Sequence, residues 1–291
     1  MGPAAMTIIE LAQLYVSSRV ISDGHKQHIL RVARRFQIAT GVGSIEEITS
    51  QHLAVFVAWL NTVTGNVNTK VNYLDHVRLL LRYAARCGLI DKVPVFPEIR
   101  RARRVPRAWT LEEFKRLYDV ANQLPGRVGV QLARIWWPSL IATAYHTASR
   151  IGALLSTTWS DIDCTKGLIV IRAESQKTKR EQIFQLPEYV LKKILAMQWP
   201  ERKLIWEWPH CRRYFFTKFR QILRQSQLEP PADARFSLFH KIRRTAASIA
   251  AMTSGIPAAQ TLLGHASARV TIEHYIDPHA IGLSVNLPSL E

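Results

Sequence analysis

The sequence predicts a mainly α-helical protein of two domains, with one small β-sheet confined to the second. Three observations lead there. Apolar residues recur at helical spacing through the first ninety positions, with little strand character. A stretch rich in proline and arginine over residues 91–108 then interrupts the pattern. Beyond it, two short β-like runs flank a basic turn among further helical segments. With 291 residues the chain can fill two domains of ordinary size. The expected division is a helical domain over 1–90, a linker over 91–108, a second domain over 109–278 and a tail over 279–291.

In order along the chain, Thr7-Ile-Ile-Glu10 fits a capping box leading into Leu11, Leu14, Tyr15 and Val16. A basic helix face with Lys26, Arg31, Arg34 and Arg35 follows. Residues 53–60 are apolar enough for a core helix. Over 68–87, Val71, Leu74, Val77, Leu80 and Leu81 keep helical spacing, while Lys70, Arg78, Arg82 and Arg86 supply charge. In the linker, Arg100, Arg101, Arg103, Arg104 and Arg107 cluster beside Pro106, a composition suited to an extended strap over phosphates. Thr110-Leu-Glu-Glu113 opens the second domain with another capping box. A buried helix over 128–145 should kink or break near Pro138. The runs 167–174 and 181–187 predict a hairpin whose turn holds Lys177, Lys179 and Arg180. Helices are then expected over 189–197, 210–227, 238–253, 257–263 and 270–276, with Ser237 capping the third of these.

Composition narrows the partners. Lys and Arg number 39 against 22 Asp and Glu, a formal net charge of +17. Such a surplus fits a polyanion. No apolar run approaches the ~20 residues that span a bilayer, and the N-terminus lacks the pattern of an export signal or a myristoylation site. A cytoplasmic protein is expected. Cys87, Cys164 and Cys211 lie far apart with no C-x-x-C pair, which argues for buried or idle thiols rather than disulfides or a zinc site.

The chemistry concentrates in an ordered set: Arg150, Lys177, His240 with Arg243, His265 and Tyr275. Two guanidiniums can hold a phosphate that gains charge in a transition state, imidazoles can hydrogen-bond it or move protons, and a phenol can attack it. Ile151, Leu154 and Leu155 should anchor a helix that leaves Arg150 at its start. His240 and Arg243 share a helical face by their i to i+3 spacing; the opposite face packs through Leu238, Ile242 and Ala246, leaving the first to meet a phosphate. Tyr275 sits on a short helix stopped by Pro278, after a helix ended by Gly264.

These pieces, Thr147-Ala-Ser-Arg150-Ile-Gly-Ala-Leu-Leu, Lys177, His240-Lys-Ile-Arg243-Arg-Thr-Ala-Ala-Ser, Leu263-Gly-His265 and Tyr275, resemble the tyrosine recombinases of the phage integrase family. The resemblance implies a mixed α/β catalytic domain that joins the helical bundle in a two-domain clamp on DNA. It implies that Tyr275 attacks a DNA phosphate, Arg150 and Arg243 clamp it with His265, His240 assists the phenol and Lys177 protonates the leaving oxygen. No metal or cofactor is needed. Its partner would be duplex DNA carrying a specific recombination site, with four protomers on two sites and a monomer in solution, and no membrane. Arg100, Arg101, Arg103, Arg104, Arg107, Lys179, Arg180 and Arg244 would contact DNA. Two positions depart from the family pattern: Ala153 stands where an acidic residue is frequent, and Ala148 where glycine is common. Rival readings are a DNA-binding protein without catalysis, favoured only by Ala153, and a type IB topoisomerase.

Overall fold

The computed structural model describes residues 5–101, 105–176, 178–198, 201–230 and 238–280. Lys177, Arg103, Arg104, the cap at Ser237 and the tail after 280 lie outside them. The chain separates into two compact units, Met1–Arg104 and Val105–Glu291.

The first unit holds α1 (Ile8–Ser17), α2 (Asp23–Thr40), α3 (Ser50–Val63) and α4 (Val67–Arg86). Thr7 and Glu10 form the expected capping box, satisfying backbone N–H groups that the first turn leaves without partners. Gly41 ends α2 at φ 66°, a conformation that is cheap only without a Cβ. Leu11, Ile29, Phe36, Phe56 and Leu80 are fully buried between the helices. At ~1.5–3 kcal/mol for each large apolar side chain, they outweigh any single charge on the surface. The first half of the expected linker is not free. Leu89, Val93, Phe96 and Ile99 pack on this core, the Arg78 guanidinium lies 4.4 Å above the Phe96 ring, and Arg101 pairs with Asp75. Val93, Phe96 and Ile99, spaced along the linker, explain this, because leaving these three in water would forfeit their burial.

The second unit begins with α5 (Leu111–Asn122), capped by Thr110 and Glu113. A small hairpin follows, β1 (Arg127–Val128) with β2 (Gln131–Leu132). The helix expected from 128 therefore starts only at α6 (Ala133–Thr147), since Gly129 at φ 58° makes a tight turn in place of a helical residue. Nor does Pro138 break it: α6 runs through the proline. Trp136, Trp137, Leu140 and Ile141 are all buried around it, and their packing exceeds the ~3 kcal/mol that an internal proline costs.

After α7 (Ile151–Leu154), β3 (Ile162–Asp163), β4 (Leu168–Ile171) and β5 (Gln182–Gln185) make an antiparallel sheet in that order, with Ile169 opposite Phe184. The two longer strands are the expected hairpin; β3 is too short for an alternating pattern to show. Helices α8 (Glu188–Leu195) and α9 (Arg212–Gln225) follow. Then α10 (His240–Leu263) turns sharply at Gly255, φ 82° and ψ 169°, before Pro257, so the two expected helices are its halves. Last comes α11 (Ala268–Tyr275). The three cysteines are free and exposed, so of the expected buried or idle thiols none is buried; each lies in or beside a polar turn or helix end. Among the described residues, no helix is long and apolar enough to cross a membrane.

Candidate active site

The site forms where three helix ends converge. α6 terminates at Ala148, which adopts φ 46° and ψ 23°. This left-handed residue turns the chain so that Arg150, two positions on, becomes the N-cap of α7. α10 ends at Gly264, φ 65°. Both ends leave backbone carbonyls without helical partners and carry the negative pole of the helix dipole. Arg243 fills the space between them, one guanidinium nitrogen donating to the Ala148 carbonyl and another to the Leu263 carbonyl at 2.7 Å. The shared face of His240 and Arg243 is therefore not an open helix surface: Arg243 is 2% exposed. A buried cation is tolerable there because two orphan carbonyls solvate it. Burial brings its pKa down to about 10, offset in part by the Tyr275 phenol.

Tyr275, 7% exposed, lies among the other members of the set. Its ring centroid is 4.7 Å from that of His265, 5.2 Å from that of His240 and 5.2 Å from the Arg243 guanidinium carbon. Beneath it, Ala148, Ala246, Ala247, Ala259, Leu263 and Ile276 form a small apolar cluster. His265 Nδ1 lies 3.0 Å from the Thr271 hydroxyl, and its Nε2 is 3.4 Å from an Arg243 nitrogen. Arg243 has only donors, so the arrangement is satisfied when Nδ1 carries the proton and Nε2 accepts.

Burial, then the positive charges of Arg244, Arg243 and Arg150, push the pKa of His240 down to about 3. Burial, then Arg243 and Arg150, bring His265 to about 4. Both imidazoles are therefore neutral at pH 7. Arg150 is partly exposed and its side chain has no hydrogen-bond partner among the described residues, so its guanidinium donors are free for an anion. The cluster can bind a tetrahedral anion beside a phenol, with an uncharged imidazole to receive the phenolic proton.

Other expected residues fall elsewhere. Arg100, Arg107, Lys179 and Arg180 are exposed. Lys179 takes φ 53° and reaches the Glu174 carbonyl at 3.4 Å. Gln176, beside Lys177, is buried and ties the Ile171 carbonyl to that of Arg180. Arg244 is partly buried, and desolvation lowers its pKa. Sequence reasoning missed Thr271, Ser248, Thr245 and Asp277. Thr245 and Ser248 stand inside the quoted motif 240–248 without a role assigned to them, Thr271 is an ordinary helix residue, and Asp277 is an acid wedged between an isoleucine and a proline.

The family model described as the phage integrase family matches residues 108–280, and the chain belongs to that family. It is similar to "Putative tyrosine recombinase XerC" of Pseudomonas syringae, at 23% identity over 227 residues. That alignment covers 71% of this chain and 48% of the other, so the chain spans about half the length of this curated relative. Among solved structures, a lambda integrase dimer bound to a COC' core site matches with TM-score 0.73 at 18% identity, over 99% of this chain and 81% of that one. The Tn1549 transposon integrase in complex with a circular intermediate DNA matches with TM-score 0.71 at 13% identity, over 93% and 95% respectively. These likenesses establish the mainly helical fold with small sheets.

Proposed function

We propose that the protein is a site-specific DNA recombinase that cuts and rejoins strands through a covalent tyrosine linkage. The observation that carries this reading is the seating of Tyr275 between two neutral histidines and Arg243, with Arg150 close by. In the reaction, the Tyr275 hydroxyl attacks the scissile phosphorus and its proton passes to His240. The phosphorus–O5′ bond breaks, leaving a 3′-phosphotyrosyl link, and Lys177 protonates the departing 5′-oxygen. A 5′-hydroxyl from a partner duplex then reverses each step. No hydrolysis occurs, so the bond energy is kept in the phosphodiester.

Arg150 and Arg243 face the charge that builds on the nonbridging oxygens, where preorganised donors are each worth about 10²–10³ in rate. His265 adds a hydrogen bond to the phosphate once its ring proton resides on Nε2, Nδ1 then accepting from the Thr271 hydroxyl. The net charge of +17 supports duplex DNA as the partner, with Arg100, Arg103, Arg104, Arg107, Lys179, Arg180 and Arg244 against its backbone. Arg101 joins them by exchanging its Asp75 contact for a phosphate. On this reading both units contact the duplex in the cytoplasm. The lambda integrase tetramer bound to a Holliday junction, 17% identical with TM-score 0.68, supports four protomers on two sites as the working assembly.

The test is relaxation of supercoiled plasmid in EDTA by wild type and Tyr275→Phe, followed by denaturant quenching to trap protein on DNA. Relaxation and a covalent adduct, both lost in the variant, are expected. Binding without either, on DNA that flanks the encoding gene, would favour the second reading, a non-catalytic DNA-binding protein. That alternative rests on Ala153, a buried methyl where an acid is frequent in the family.

A further inference from the structure

The C-terminal end of the nucleophile's helix is fastened to two other parts of the second unit. The Asp277 backbone N–H donates to Ser248 Oγ at 2.9 Å, and that hydroxyl donates to the Tyr275 carbonyl at 3.3 Å. Ser248 lies on α10, eight residues after His240. The Asp277 carboxylate, 5% exposed, accepts from the Ala108 N–H at 2.9 Å and from the His279 N–H at 3.0 Å. Ala108 belongs to the segment by which the chain enters this unit. One residue later the Trp109 N–H donates to Thr245 Oγ1 on α10 at 2.9 Å, and Lys241 sits 4.9 Å over the Trp109 ring. Three strands of chain thus meet at one buried carboxylate and two hydroxyls.

Resting on the proposed role of Tyr275, we infer that Asp277 and Ser248 are positioning residues, a clasp that ties Tyr275 to α10 and to the segment at Ala108. Neither touches the reacting atoms. Their effect is geometric: α11 has only eight residues, too few to hold a direction by itself. Beside the Thr271 contact and the apolar packing under Tyr275, its C-terminal anchor therefore sets how closely the phenol lies against His240 and Arg243. A misplacement of about 1 Å is enough to cost 10²-fold in rate. Because one partner of the clasp is Ala108, whatever holds the segment around residues 105–108 also bears on the phenol.

The experiment compares wild type, Asp277→Asn, Asp277→Ala, Ser248→Ala and Tyr275→Phe in the full chain. A core truncation, Leu117→Ala, is the control for stability alone. Adduct formation is timed at saturating plasmid DNA that carries the sequence flanking the encoding gene. DNA affinity is measured in parallel, and amide exchange is followed by mass spectrometry over residues 268–280.

Asp277→Ala and Ser248→Ala should slow adduct formation about 10- to 100-fold. Asp277→Asn, which keeps an acceptor oxygen, should lose less. Affinity should stay within about twofold, since no phosphate contact is removed. Exchange should rise over 268–280 in the clasp variants but not in Leu117→Ala, whose adduct rate should match wild type. Unchanged adduct rates in both Asp277→Ala and Ser248→Ala would overturn the clasp, and so would a loss equalled by Leu117→Ala. If wild type makes no adduct, or Tyr275→Phe still does, the reading of Tyr275 fails separately. Exchange over 268–280 then decides the clasp, unchanged exchange overturning it and a rise confined there upholding it.

Discussion

Arg150 and Arg243 have the same proposed partner, a phosphate, yet the structure predicts very different costs for removing them. Arg243→Ala strips the Ala148 and Leu263 carbonyls of their donors in surroundings where both residues are at most 1% exposed. Each buried group left unpaired costs about 1–3 kcal/mol. Relief from desolvating the cation returns part of this, so the net loss is roughly 3 kcal/mol. For a unit of this size, about 2–4 °C of melting temperature accompanies each kcal/mol, giving a drop of roughly 6–12 °C.

Arg150→Ala removes a partly exposed side chain with no bonded partner among the described residues, and should stay within about 1–2 °C of wild type. Arg243→Lys should fall between, since one ammonium on a flexible stem cannot reproduce two divergent guanidinium bonds. The assay is a thermal melt of the DNA-free full chain at pH 7, followed by plasmid relaxation. Relaxation should be lost in both alanine variants and melting displaced in only one. Equal melting temperatures for Arg243→Ala and Arg150→Ala would refute the claim that Arg243 braces the two helix ends.

Lys177→Ala should slow cleavage about 10²- to 10⁴-fold, as loss of a general acid does, with DNA binding nearly intact; undiminished cleavage would transfer the role to Lys179. His240 has a folded pKa of about 3, far below its unfolded value. The unfolded chain therefore binds a proton that the folded chain refuses. The stability that comes from keeping it neutral is complete above about pH 6.5 and is lost as pH falls toward 3. Wild type should lose about 1–2 kcal/mol more than His240→Asn between pH 6.5 and 5, read as the difference in denaturant midpoints. Gly264→Ala would strain φ 65° and set a methyl 2.8 Å from the Gln182 amide. A loss of about 1–2 kcal/mol is expected, visible in the same denaturation.

Helix boundaries were close to legible because their causes are local. The boxes at Thr7 and Thr110 and the glycine stop at 264 each draw on residues a few positions apart. The start of α6 was misread for the same reason: Val128 continues an apolar run, and only the pairing of Val128 with Gln131 shows that it is a strand. In the site, residue types and chain order announced phosphate chemistry. The burial of Arg243 was hidden, because an i to i+3 spacing says which residues share a face and not what covers that face.

The sequence by itself determined the helical character, the small hairpin, the surplus of positive charge and the candidate set of six residues for the proposed chemistry. These follow from periodicity, composition and order, which short stretches of chain carry within themselves. The tertiary structure alone decided that Arg243 is a buried brace between two helix ends, that both imidazoles are neutral, and that Tyr275 is anchored through Ser248 and Asp277. The reason is distance along the chain. Arg243 meets a carbonyl 95 residues earlier, and Asp277 meets an N–H 169 residues earlier. Desolvation likewise depends on everything packed around a group, so the charge state of His240 exists only once the helix ends have closed over it.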